Sequence, residues 1–171
     1  MKSLLRISFI MFVALFISNY TFGQDKGKRA SPPMEATGTV GEANIKVNYS
    51  APSAKGRAIW GELVPYGKIW RAGANEATTF ETDKDLSIDG KKLAAGKYSV
   101  FLLPNDGEWT FVFNSISDQW GAYQYDEAKD VLRVVATPEK MKEKSELLAY
   151  KVADDKLWIM WDDHKAGINL K

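Results

Sequence analysis

With 171 residues, 45% of them hydrophobic and 26% charged, the chain is long enough for one domain with a proper core. Its formal charge of +1 supplies no long-range field to steer nucleic acid or an anionic membrane, so nucleic-acid binding is set aside. It has no cysteine, which excludes a disulfide framework, a thiolate nucleophile, a lipid-modified cysteine and Cys-ligated zinc.

The N-terminus reads as an export signal. Lys2 and Arg6 form a positive region, and residues 7–17 are an apolar run broken only by Ser8. Thr21-Phe22-Gly23 puts small residues at the two positions a signal peptidase reads. The run is shorter than the ~20 residues of a spanning helix. The expectation is a signal peptide over residues 1–23, cleaved after Gly23, and a periplasmic or secreted product with no stable membrane insertion. Loss of Lys2 and Arg6 takes the formal charge down by two, from +1 to −1. Residues 24–35 are polar, carry Pro32-Pro33 and read as a flexible lead-in, with Lys26, Lys28 and Arg29 solvated.

Residues 36–171 read as a single β-sandwich domain. The first predicted hairpin runs over 36–40 and 43–49 around Gly41-Glu42. Ile45, Val47 and Tyr49 alternate with Asn44, Lys46 and Asn48, the period of a half-buried strand. Residues 53–75 are irregular, punctuated by Gly56, Gly61, Gly67, Gly73 and Pro65, with room for one short helix near 61–64. A strand over 77–82 follows. Asp89-Gly90 between Leu86-Ser87-Ile88 and Lys91-Lys92-Leu93 predicts a type I′ hairpin. The strand at 97–103 has apolar residues on both faces, which places it inside the sheet with cover on each side. Trp109, Phe111 and Phe113 line one face of the next.

Residues 115–130 are a second irregular stretch. Strand resumes at 131–137, and the charged run 139–146 reads as a solvated edge or a turn of helix. Strands at 146–152, 156–161 and 166–170 complete the set, with turns at 154–155 and 162–165. Nine to ten short strands without a sustained helical period predict an all-β antiparallel sandwich, jelly-roll-like first and immunoglobulin-like second.

The string GRAIWGELVPYGKIWRAGANEATTF at 56–80 resembles the bacterial family known as domain of unknown function 2911. So do GKKLAAGKYS at 90–99 and WGAYQYD at 120–126. The resemblance spans about residues 31–161 and implies an exported, single-domain β protein. It carries no activity over to this chain.

The two irregular stretches hold the candidate site. Arg71 offers a rigid fork for carboxylate, phosphate or sugar hydroxyls, and Asn75 both donates and accepts. Trp70, Trp120, Tyr123 and Tyr125 supply flat apolar faces with polar edges, and Glu76 and Asp126 add carboxylates. Such a set suits a small polar ligand or a glycan. Read structurally instead, Arg71 pairs with Glu76 or Asp126 to pin a loop, and the aromatics cover the core. A third reading makes the aromatic loops an adhesive patch for an envelope partner. Glu76 and Asp126, with Glu127 and Asp130 as weaker candidates, are the carboxylates for glycosidase-like hydrolysis, which needs two of them ~5–9 Å apart. His164, the one histidine, lies in a charged stretch and reads as a surface residue, so no metal and no cofactor is expected.

Overall fold

The computed structural model describes residues 29–171. The expected signal peptide over 1–23, Lys26 and Lys28 lie outside the described residues. The strands are β1 (Pro33–Val40), β2 (Ala43–Ser50), β3 (Thr78–Thr82), β4 (Leu86–Ile88), β5 (Lys91–Leu93) and β6 (Gly96–Leu103). They continue with β7 (Trp109–Asn114), β8 (Asp130–Ala136), β9 (Glu139–Ala153) and β10 (Lys156–Asn169). No helix among the described residues is long and apolar enough to cross a membrane.

One antiparallel sheet runs β1-β2-β3-β6-β7-β8. The facing layer is the β9–β10 pair, extended by the β4–β5 hairpin. Ser87 and Lys171 join these two through mutual backbone hydrogen bonds of 2.7 and 2.8 Å. The antiparallel sandwich expected from the strand pattern is what the chain forms. Its core is drawn from both layers: Ile45, Val47, Phe80, Phe111 and Phe113 meet Tyr150, Ile159, Trp161 and Ile168. The Asp89-Gly90 turn has φ of 45° and 83°, positive at both central residues as type I′ requires.

Alternation along β6 and β7 decides where the irregular stretches go. Val100 and Leu102 point into the sandwich, which leaves Phe101 and Val112 on the outer face. Bare apolar side chains there would cost ~1.5–3 kcal/mol each. Ile69 from the first irregular stretch, with Ala122 and Tyr125 from the second, covers them. Both stretches are therefore drawn to one region of the large sheet. Beside them, Trp60, Trp70, Trp109 and Trp161 pack as a four-indole cluster, with Trp60 4.0 Å from Trp109 and Trp70 stacked on Trp161 at 5.7 Å.

Five local expectations change. The first strand starts at Pro33 rather than Ala36, because Pro33 is already in register with Ser50. Residues 61–64 form no helix; a Trp60–Val64 bridge and turns replace it. The charged run 139–146 is the solvated edge of its two expected readings, but it is continuous with the strand expected at 146–152 in one 15-residue strand, β9, since backbone pairing with β10 does not require apolar side chains at an edge. The expected turn at 162–165 is instead a bulge inside the continuous β10, with Asp162 at φ 49° and register shifts on either side. His164 is consequently half-buried on that strand, bonded to Asp163 at 2.6 Å and facing the Trp109 ring.

Candidate functional site

The loop that carries Trp70, Arg71, Asn75 and Glu76 is held at both ends by backbone pairing. Trp70 exchanges two 2.8 Å hydrogen bonds with Leu102 of β6. Ala77 N–H donates to Gln119 O at 2.9 Å, and Gly121 N–H donates to Asn75 O at 3.1 Å. Glu76 bridges Trp120 in the same short antiparallel ladder. The two irregular stretches thus meet through their backbones.

Between those anchors the loop is strained and buried. Ala72 sits at φ 53° and Asn75 at φ 58°, a region costing a residue with a Cβ ~1–2 kcal/mol, less for Asn. Two buried hydroxyls fix the Ala72 carbonyl: Thr78 Oγ1 donates at 2.9 Å and Tyr150 at 2.8 Å. Gly73 is needed for close approach, because a Cβ there would stand 2.8 Å from Thr78 Oγ1 and 3.2 Å from Ser50 O. Ala74 N–H donates to Ser50 O at 3.1 Å. Backbone strain survives only where its surroundings over-determine it, and it concentrates at functional sites.

The second stretch is organised by a buried amide. Gln119 Nε2 donates to Ser99 Oγ, Asn114 Oδ1 and Ile116 O at 3.1, 3.2 and 2.7 Å. Asn114 in turn donates to Asp126 O and Asp130 Oδ1. Tyr125 packs its ring edge-on to Phe101 at 4.8 Å and donates to Asp130 Oδ2 at 2.6 Å. Burial first, and the Asp130 carboxylate second, push its phenol up to about 12. Asp126 accepts from Ala128 N–H at 3.0 Å and caps a single 3-10 turn, Glu127–Lys129.

The eight nominated side chains therefore divide. Trp70 and Arg71 line one cleft of about 530 Å³, together with Lys55, Arg57 and Trp161. Glu76 lines another of about 550 Å³, together with Arg29, Thr79, Asp118 and Gln119. The 71–76 loop runs between the two. Asn75 Nδ2 reaches Ser31 O at 3.4 Å. Arg71 and Tyr123 approach each other over Gly121: a Cβ on that glycine would lie 3.1 Å from the Tyr123 ring and 3.4 Å from Arg71 Nη1. Tyr123 itself is 85% exposed and Trp120 51%. Tyr125 and Asp126 line neither cleft and serve the loop.

The ion pairs differ from the structural expectation. Arg71 pairs with neither Glu76 nor Asp126. Glu76 is taken by Arg29, whose Nη1 lies 2.8 and 2.7 Å from its two oxygens. Arg29 is therefore a packed residue, 12% exposed at its side chain, rather than a solvated one. No ion pair among the described residues involves Arg71, and its Nε is buried without an acceptor. The indole N–H of Trp161, on the same cleft, is also buried without one. Glu76 and Asp126 do not line a common cleft. No group of three or more metal-ligating side chains gathers among the described residues.

Lys55, Arg57 and Trp161 lie outside the site that the sequence alone implies. The basic pair flanks Gly56, at φ 69°, so a Lys-Gly-Arg turn beside the family string was a readable signal. Nothing in the sequence pointed Trp161 of the last strand towards this cleft.

Neither a curated protein nor a solved structure matches the chain. The family described as "Protein of unknown function (DUF2911)" matches residues 31–170. That match takes in every described strand and both loops, and the chain belongs to the DUF2911 family.

Proposed function

We propose that this is an exported, non-catalytic binding protein that takes a small polar ligand or glycan unit in the Trp70–Arg71 cleft. The observation that carries the reading is the state of Arg71. A half-buried guanidinium without a counter-ion, on a loop fixed by strained residues and buried hydrogen bonds, is poor economy for stability alone. Pre-organised donors next to an indole wall suit recognition. Hydrolysis by Glu76 and Asp126 finds no comparable support, since Arg29 holds the first and the second caps a turn.

The test is a tryptophan-fluorescence screen of the purified protein against envelope-derived and dietary glycans and small metabolites. Trp70 and Trp161 stand in the cleft and supply the signal. A saturable response that disappears in Arg71→Ala supports the reading; a folded wild type silent to every compound contradicts it. The exposure of Trp120 and Tyr123 favours a second reading, contact with an envelope partner. In that case Tyr123→Ala removes partner capture and leaves the small-molecule response intact.

A further inference from the structure

Two clefts of similar size flank one loop, and their charges differ in kind. The Glu76 cleft is mixed: Arg29 and Lys97 face Glu76 and Asp118. The Arg71 cleft has Lys55, Arg57 and Arg71 and not one carboxylate among its lining residues. Glu146 accepts from Lys55 N–H at 2.8 Å but does not line the cleft.

We infer that the Arg71 cleft binds a small organic oxyanion, a carboxylate or phosphate on a body with one apolar face, as a sugar ring has. The inference rests on the reading of that cleft as a ligand site and names its ligand class. Each other described arginine is already engaged: Arg29 with Glu76, Arg133 with Asp130, and Arg57 with the carbonyls of Ala54 and Ser53 at 3.0 and 2.6 Å. Arg71 alone among them makes no side-chain hydrogen bond or ion pair, its Nε being buried without an acceptor and its two Nη groups uncommitted. A planar guanidinium matches a carboxylate or phosphate in two-point geometry, which an uncharged hydroxyl cannot equal. Lys55 and Arg57 add positive potential at the same opening, and nothing in the lining cancels it. Half-buried Trp70, backed by the fully buried Trp161 stacked on it, provides the wall for that face. The volume is that of an ordinary small-molecule site.

The experiment compares matched probes by tryptophan fluorescence: glucuronate, glucose 6-phosphate, glucose and inorganic phosphate, with wild type, Arg71→Ala and Arg71→Lys. Thermal melting of each variant verifies folding. Wild type is expected to respond to glucuronate or glucose 6-phosphate and not to glucose. Arg71→Ala should bind about ten- to a hundredfold more weakly, and Arg71→Lys should recover only part. Preference for glucuronate identifies a carboxylate, preference for glucose 6-phosphate a phosphate, and an equal response to inorganic phosphate shows that the body adds nothing. Glucose binding as well as the anions, through Trp70, overturns the anion class and leaves the ligand site standing. Silence towards all four probes and towards the wider screen overturns both. Unchanged anion binding in folded Arg71→Ala overturns the assignment to this cleft.

Discussion

Replacing Arg71 by alanine separates a binding residue from a pinning one. A buried ion pair stripped of one partner loses ~3–5 kcal/mol, because the other charge is left without compensation. Arg71 has no such partner among the described residues, so its removal strands nothing. What goes is a half-buried aliphatic stem, worth ~1 kcal/mol at ~0.8 kcal/mol per fully buried methylene. The orphaned Nε goes with it, and an unsatisfied buried donor costs ~1–3 kcal/mol. The backbone anchor, Thr78 N–H to Arg71 O at 3.2 Å, survives the change. These contributions oppose each other, and the net change is expected within about 1 kcal/mol, or ~4 °C in Tm. Arg133→Ala provides the contrast. Arg133 Nε and Nη2 hold Asp130 at 2.9 and 2.8 Å, and that carboxylate is 7% exposed. Its loss should cost ~2–3 kcal/mol. Urea unfolding followed by circular dichroism measures both. A loss of 3 kcal/mol or more in Arg71→Ala would falsify the reasoning, since it would mean the guanidinium holds the loop.

Three further outcomes follow from the loop and the core. Tyr150→Phe should cost ~0.5–1.5 kcal/mol and no more, because the Ala72 carbonyl keeps Thr78 Oγ1 as a donor; urea midpoints measure it, and a loss beyond 3 kcal/mol would show that Thr78 is no substitute. Gly73→Ala should destabilise by ~1–3 kcal/mol through the 2.8 Å approach to Thr78 Oγ1, with weaker probe binding as the loop shifts; wild-type stability together with wild-type binding would contradict the packing. In alkali, burial keeps Tyr150 and Tyr125 protonated in the fold, the latter up to about 12 against 10.0 when unfolded. The Tyr125 contribution is complete below pH 10 and is lost as pH rises through about 12, because the unfolded chain ionises first, while the more deeply buried Tyr150 goes on losing its own above that. Melting temperature against pH should fall across that window in wild type and less steeply in Tyr125→Phe; parallel curves would refute it.

Much of this arrangement was written in local pattern. Alternation at Ile45, Val47 and Tyr49, and the double-faced apolar run of β6, carry the sandwich, because burial of one or both faces is a periodic property. The same run implies a cover for Phe101, and that cover is what draws the two aromatic loops together. Ion-pair choice was not legible. Glu76 lies five residues from Arg71 yet pairs with Arg29, 47 positions away, since the left-handed residues Ala72 and Asn75 bend the chain between the neighbours. The β10 bulge hid as well, because Asp162-Asp163-His164-Lys165 has the composition of a turn and its strand geometry comes from pairing with β9. The separation of Trp70 and Glu76 into different clefts depends on that same bend.

The Nε–H resonance of Arg71 in a proton–nitrogen NMR spectrum bears most directly on the central claim. In the free protein it should lack the signature of a hydrogen bond to a carboxylate, which Arg133 Nε–H should show through Asp130. Adding glucuronate should shift Arg71 and leave Arg133 in place, while glucose moves neither. An Arg71 resonance already bonded like Arg133 in the free protein, or moved equally by glucose, would contradict the account.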